Sequence, residues 1–338
     1  MKIIHWNESR VNGRMTGIKR YEDELFLHIN KYINISRLMR GESKYKDNMI
    51  SSWFLKYKSY GADIVHGTTQ TIAPVALFNK PKRFIVTVHD IIPLLYPSTI
   101  EDISKRIQWL LIPKALHKVD HIIAVSKFVK LQLIQHLNIP EDKITVIYEG
   151  VNHDTFKPID RDTCCNALGY DPDLKYILSI KSTFSIKGYE PYKRYDIVER
   201  VVSEISKQRD DVVHISIGDY YIDDYKLPLI YNVANVLLYP SEHPTFEFPI
   251  LEAMSCGTPV VCVNTGSNPE IVGNVGVLID DINSTDQFVE ATLKLLDKPK
   301  PNRTCINQSS KFDWSITAEE TLKLYNEVVN NESICNRS

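Results

Sequence analysis

The sequence predicts an α/β protein made of two doubly wound, Rossmann-like halves, and three observations carry that reading. Short apolar, β-branched runs alternate with longer amphipathic stretches almost from end to end. The 338 residues are too many for one ordinary core and suit two domains of roughly 150 residues each. A polar stretch at 152–173, containing Pro158, Gly169 and Pro172, separates the pattern into two similar runs.

Taken in order, the first half opens with a strand at 2–6. A helix follows, in which Ile18, Tyr21, Leu25, Ile29 and Tyr32 recur at three- and four-residue spacing. Runs at 63–66, 84–88, 121–125 and 144–147 read as further buried strands. Beyond the polar stretch the same rhythm resumes at 176–180, 212–217, 236–239, 260–263 and 277–279. Such alternation implies parallel sheets with helices on both faces. Ligands of these sheets bind beyond the carboxyl ends of the strands. The two halves are therefore expected to face each other there across a cleft.

Composition narrows the function classes. With 43% hydrophobic and 24% charged residues the chain reads as a soluble globular protein. A formal net charge of -2 offers no global reason to expect nucleic acid. The first residues lack a long apolar run after their charge, so they read as a strand rather than a signal peptide. No stretch reaches the ~18 apolar residues of a membrane span. The six cysteines (Cys164, Cys165, Cys256, Cys262, Cys305 and Cys335) form no CxxC pair, which argues against zinc or a thioredoxin-like site. A reducing, cytoplasmic setting is the expectation.

The segment 239–280 holds the most specific chemistry. A strand ends at Tyr239, an irregular loop follows, and a helix begins near Phe248 or Pro249, where proline's missing N–H is not needed. The amides of that helix start, from Phe248 through Ile250 and Leu251, are a candidate site for a phosphate or sugar hydroxyl. Glu252 lies one turn inside, where its carboxylate could accept hydrogen bonds from a ribose. Gly257, Thr258 and Pro259 then end the helix.

This segment resembles the donor-binding signature of the retaining family-four glycosyltransferases, which have the GT-B fold. Phe246, Pro249, Glu252, Ala253, Met254, Cys256, Gly257, Thr258, Pro259 and Val260 match it, and so do Pro269 to Gly273. The family places a first glutamate eight positions before the second. Here that position is Pro244, and the signature's two glycines are Thr245 and Glu247. Either Glu242 or Glu247 could supply a carboxylate by a local shift of the loop, or the carboxylate is absent.

Cleaving a sugar nucleotide expels a nucleoside diphosphate. A helix dipole contributes at most ~2 kcal/mol, whereas enzymatic acceleration needs at least ~8 kcal/mol. Positioned cations are therefore required. Lys181, at the end of the first strand of the second half, and Lys193, in Pro191-Tyr192-Lys193-Arg194, resemble the family's Arg and Lys, with Lys187 and Arg194 as competitors. Lysine binds phosphate as a point charge, without the fork of arginine. No metal and no cofactor are expected. Asp171-Pro172-Asp173 is formally a metal-binding DxD, but its place in the polar stretch reads as a turn.

In the first half, Gly17 opens a helix after the first strand, where a glycine lets a ligand approach the backbone. The run resembles the family's Gly-Gly-Ile-x-Arg-Tyr loop. His89, in His89-Asp90-Ile91-Ile92-Pro93-Leu94, follows a strand and resembles the family histidine that contacts the donor sugar. His66 and Ser126 match family positions too, and Glu149-Gly150-Val151-Asn152 resembles its turn into the linker. The residues near the nucleotide base are reduced to Tyr220, Tyr221 or Ile222, because the chain is short after Gly218-Asp219.

The resemblance implies domains at 1–155 and 156–310. Residues 311–338, with Trp314, Ala318, Leu322, Tyr325 and Val329 on one face, would form a closing helix that packs back on the first domain. It implies transfer of a hexose-type sugar from a nucleoside diphosphate sugar to a carbohydrate, lipid-linked or protein acceptor. The aromatic and basic run 53–58 could touch an anionic membrane, although a partly buried helix explains it better. A non-catalytic sugar-nucleotide-binding relative and an epimerase on the same fold are the alternatives. A dehydrogenase lacks GxGxxG after the first strand.

Overall fold

The computed structural model describes residues 1–10, 16–40, 61–100, 102–181, 191–218 and 222–330. The chain divides into two compact units, Met1–Gly150 with Trp314–Ser338, and Val151–Asp313.

Among the described residues the first unit carries six parallel strands: β1 (Ile3–Arg10), β2 (Ile35–Arg40), β3 (Ile64–Gly67), β4 (Phe84–Val88), β5 (His121–Ala124) and β6 (Ile144–Val146). Their order across the sheet is β2-β1-β3-β4-β5-β6. The second unit carries β7 (Lys175–Ile180), β8 (Val212–Ile217), β9 (Val236–Tyr239), β10 (Val260–Val263) and β11 (Val277–Ile279), in the order β11-β10-β9-β7-β8. Within each unit the second strand lies outside the first and the third lies on its other side. That reversal creates a switch point, between β1 and β3 in one sheet and between β7 and β9 in the other. Doubly wound sheets open a crevice for ligands at such points.

The sequence readily forms these elements. β3, β4, β5, β9 and β10 are buried at every position, so helices on both faces demand unbroken apolar runs. β2 was not expected. It is an edge strand whose buried Ile35 and Met39 are interrupted by Ser36 and Arg37, so it reads as a polar loop. The polar stretch at 152–173 also conceals a helix, Arg161–Leu168, which Asp160 caps and whose Cys164 and Cys165 face inward. Asp171-Pro172-Asp173 is a turn, closed by the Asp173 amide donating to Asp171 Oδ1 at 2.9 Å.

Helix starts follow capping rules. Thr16 Oγ1 accepts from Lys19 N at 3.0 Å and Ser126 Oγ from Val129 N at 3.1 Å, so Ser126 is a cap. In the second unit Ile177, Leu238 and Val261 pack with Val201 and Ile205 of the Tyr195–Ser206 helix and with Phe288 of the Thr285–Leu296 helix. Each such side chain stabilises by about 1.5–3 kcal/mol.

The Trp314–Asn330 helix belongs to the first unit. Its Trp314 ring lies 6.0 Å from that of Tyr21, and Thr317 donates to the Tyr148 carbonyl at 2.8 Å. Tyr325 Oη lies 2.9 Å from His5 Nε2 and 2.6 Å from His66 Nδ1. His66 Nε2 meets Thr87 Oγ1 at 2.7 Å. Both nitrogens of His66 are thus used inside the core, and its role is architectural.

Candidate functional site

The second unit concentrates charge at its switch point. β9 ends at Tyr239, and the loop that follows delivers Glu247 to the position before the Phe248–Ser255 helix. A residue there would normally cap the helix through its side chain. Glu247 does not. Its carboxylate accepts from Tyr239 Oη at 2.5 Å and from Lys193 Nζ at 3.3 Å, and Lys193 also donates to Tyr239 Oη at 2.7 Å. Lys193 comes from the short turn Pro191–Lys193 after β7. The two strands flanking the switch point therefore converge on one ammonium, one phenol and one carboxylate. Charge-assisted bonds of this kind are about twice as strong as neutral ones.

The two carboxylates that the loop offers stand in different settings. Glu242 is exposed, and its amide donates to the Tyr192 carbonyl at 2.7 Å. Glu247 is 9% exposed and paired. Pro244 occupies the position of the family's first glutamate and packs into the chain. Its carbonyl accepts from Ser267 N at 3.0 Å, and a Cβ built on Gly266 (φ +61°) would stand 2.3 Å from that oxygen. Gly266 must be glycine for the two loops to meet.

Lys181 continues β7, with its amide donating to the Ile217 carbonyl at 2.7 Å and its ammonium 4.7 Å from the centre of the Tyr195 ring. Arg194 pairs with Asp196 at 3.0 Å and also reaches Asn283, which takes it away from Lys193. Lys187 lies outside the described residues, as do Tyr220, Tyr221 and the run 53–58.

The expected amide site needs correction. The Ile250 amide donates to the Glu247 carbonyl at 3.1 Å, and the Leu251 amide donates to it at 3.4 Å. Pro249 has no N–H, and both the Ile250 and Leu251 side chains are wholly buried. A tightened first turn has consumed these donors inside the helix. Phe248, the first residue of the helix, is half-buried.

Glu252 is 2% exposed and accepts from Tyr231 Oη at 2.8 Å. Tyr231 sits on the Leu227–Val233 helix, whose last carbonyls are gathered by Lys300. Its ammonium donates to Tyr231 O at 3.1 Å, Asn232 O at 3.0 Å, Thr258 Oγ1 at 2.7 Å and also to Ala234 O. Burial pushes the Lys300 ammonium down to about 7. Gly257 (φ +75°) lets this arrangement close, since a Cβ there would stand 2.6 Å from Pro301. Sequence reasoning missed Tyr239, Tyr231 and Lys300. Only Tyr239, the last residue of a strand, carried any signal.

In the first unit, His89 follows β4 and is 9% exposed. Its Nδ1 lies 2.8 Å from Glu149 Oε1 and its Nε2 lies 2.9 Å from the Thr68 carbonyl. Burial alone would lower its pKa, but the Glu149 carboxylate and the Thr68 carbonyl raise it above the usual value. Both nitrogens therefore act as donors within the unit, and Glu149 is an ionic partner rather than only a turn residue. Gly17 is the exposed first residue of the Gly17–Ile29 helix. Beside it, Glu22 is fully buried and accepts from Glu8 N at 2.7 Å, Ser9 N at 3.2 Å and Thr68 Oγ1 at 2.7 Å. It ties the end of β1 to the segment after β3 at the first sheet's switch point.

The profile for Glycosyltransferase Family 4 matches residues 20–155, and that for Glycosyl transferases group 1 matches residues 179–298. The O-antigen chain mannosyltransferase B of Escherichia coli is 28% identical over 303 residues, 81% of this chain and 76% of its own length. The chain spans 34% to 63% of several further curated relatives. Sucrose-phosphate synthase from Thermosynechococcus elongatus superposes with a TM-score of 0.71 at 17% identity, over 98% of this chain and 99% of that one. Anabaena Alr3699/HepE in complex with UDP-glucose gives 0.65 at 17% identity, over 97% and 100%.

Proposed function

We propose that this chain, which belongs to the family-four, group 1 glycosyltransferases and has the GT-B fold, moves a hexose from a nucleoside diphosphate sugar to a carbohydrate hydroxyl. The observation that carries the reading is the meeting of Lys193, Tyr239 and Glu247 at the switch point of the second sheet. Lys193 neutralises charge that develops on the leaving diphosphate, and Lys181 adds a second cation from the end of β7. Glu252, steadied by Tyr231, receives the ribose hydroxyls. A hexose donor agrees with the mannosyltransferase name of the Escherichia coli relative and with the UDP-glucose of the Anabaena structure.

Glu247 takes the place left by Pro244. It lies five residues before Glu252 instead of eight, yet Tyr239 and Lys193 hold it at the same switch point. Hydrogen bonds to a charged group contribute about 1.5–3 kcal/mol. Glu247→Gln is therefore expected to lower kcat/KM about 10- to 100-fold, and Glu242→Gln to leave it within about twofold. Equal effects of the two substitutions would show that Glu247 does not supply the carboxylate. His89, with both ring nitrogens engaged and its amide donating to Gln70 Oε1 at 3.1 Å, keeps the β4 loop in place.

Retention at the anomeric carbon and independence of metal belong to the same reading. NMR of the product's anomeric configuration and transfer assays in a chelator address each in turn. Nucleotide binding is the most direct test. Ligand at 100-fold over its Kd adds about 2.7 kcal/mol to stability, which is at least about 5 °C in Tm for a unit of this size. Some member of a UDP, GDP and ADP series is expected to give that shift, and Lys193→Ala to abolish it. A flat response to all three nucleotides contradicts the proposal.

A further inference from the structure

On the reading of Glu252 as the ribose acceptor, we infer that Tyr231 is a positioning residue that aims this carboxylate, and that Lys300 fixes Tyr231 in place. Tyr231 Oη donates to Glu252 Oε2 at 2.8 Å, and both side chains are buried. A hydrogen bond to a charged group is strong in such a setting. A glutamate loses much rotamer freedom when it is ordered, so a carboxylate held before the nucleotide arrives binds it at lower cost. Carboxylates accept about four hydrogen bonds. The bond from Tyr231 is therefore compatible with two more from a ribose.

The phenol is itself well anchored. Tyrosine has only two side-chain torsions, and this ring is wholly buried with its centre 5.9 Å from that of Phe156, nearly edge-on at 71°. Its hydroxyl therefore stands where the backbone of the Leu227–Val233 helix puts it. Seven residues make too short a helix to hold itself, and outside groups take its last carbonyls. Tyr231 O accepts from Thr258 Oγ1 at 2.5 Å and from Lys300 Nζ at 3.1 Å. Lys300 also donates to Asn232 O at 3.0 Å, to Ala234 O and to Thr258 Oγ1 at 2.7 Å. A cation suits a helix carboxyl end.

The same strap grips the Glu252 helix. Two residues beyond Lys300, the Asn302 amide donates to the Gly257 carbonyl at 2.9 Å, and Pro301 packs where a Cβ on Gly257 would stand. Gly257 closes the Phe248–Ser255 helix, its amide donating to Met254 O at 2.9 Å. Residues 300–302 thus bind the carboxyl ends of two helices, one carrying Tyr231 and the other Glu252. The distance between those ends sets the reach from the phenol to the carboxylate. Support of the fold alone would make Tyr231 and Lys300 matter equally for every ligand, whereas aiming Glu252 makes them matter only for a nucleotide with ribose hydroxyls.

The test is titration calorimetry of the full chain with UDP, GDP and ADP, each beside its counterpart lacking both ribose hydroxyls (the dideoxy form). Tyr231→Phe keeps the ring against Phe156 and deletes one oxygen. It is expected to weaken the ribonucleotide about tenfold and to leave the dideoxy form within about twofold. Lys300→Met is expected to lower Tm and to erode the same preference; should it fail to fold, Tyr231→Phe decides alone. In a Glu252→Ala background Tyr231→Phe should cost less than about twofold, the coupling expected of neighbours that act together. Tyr176→Phe removes another buried hydroxyl of this unit, which donates to Asp171 O at 3.0 Å, and should leave the preference intact. Equal losses for both nucleotide forms, or an unchanged ribonucleotide affinity in Tyr231→Phe, overturn the positioning role while the donor reading stands. A parent that binds both forms equally well overturns the ribose role of Glu252 and this role with it. A parent that binds none of the nucleotides overturns the donor reading itself.

Discussion

Lys193→Ala is expected to lower kcat/KM about 10²- to 10³-fold, the loss seen when one preorganised stabiliser of a developing anion is removed. The ammonium stands 2.7 Å from Tyr239 Oη and 3.3 Å from both Glu247 oxygens, so its position is already fixed before any diphosphate arrives. Lys181→Ala should cost less, because that ammonium lies over the Tyr195 ring and its geometry is set by a weaker contact. Alanine at 193 also deprives the Glu247 carboxylate, 11% exposed, of its cation and should lower Tm. The double substitution Lys193→Met with Glu247→Gln removes the charge from both partners. It is expected to restore much of the Tm and none of the activity, which separates the electrostatic role from support of the fold. Steady-state kinetics beside thermal melting read both effects, and an unchanged kcat/KM in Lys193→Ala would falsify the role.

How far the sequence announces this arrangement depends on the range of the interaction. Strands such as β4 and β9 are legible because burial on both faces forces a run of apolar residues, whereas the edge strand β2 is not, because Ser36 and Arg37 break its run. Lys193, Glu252 and the turn at Gly257 stand at recognisable places relative to strands and helix starts. The partners that make them work do not. Tyr231 is 21 residues from Glu252 and Lys300 is 69 from Tyr231, and a tyrosine or lysine at such a distance leaves no periodic mark. Glu149 reaches His89 across 60 residues for the same reason. The amide site at Ile250 and Leu251 was misread because a helix start was assumed to leave its donors open. The Glu247 carbonyl closes them locally, a detail of the first turn that composition does not reveal.

Stability is expected to fall by about 3 kcal/mol per pH unit as the pH drops from about 6.5 to 5, since three buried histidines stay neutral in the folded chain. Burial, then the charge of Arg37, lowers His5 to about 3. Burial, then the charges of His5 and His89, holds His66 well below its usual value. Burial, then Lys143, lowers His121 to about 4. In each case the folded value is below the unfolded one, so the unfolded chain takes the proton first and acid favours unfolding. His89 has the opposite sign. Its folded value is raised, so its contribution is complete in acid below the ordinary value and is lost as pH rises through the folded one. Urea midpoints from pH 8 to 5 should therefore pass through a maximum near neutrality. His121 bonds Thr145 at 2.9 Å and lies outside the contacts of Tyr325, so His121→Gln removes one proton without disturbing the others. That variant is expected to show about two thirds of the parent's slope. His5 and His66 both hold Tyr325, and protonating the ring that accepts from Tyr325 Oη spoils a bond to the Trp314–Asn330 helix. Hydrogen exchange in that helix should accelerate in acid before exchange in β9 and β10 of the second unit. A stability profile that is flat between pH 6.5 and 5, or a helix that stays protected throughout, would mean that these histidines are not buried as neutral groups.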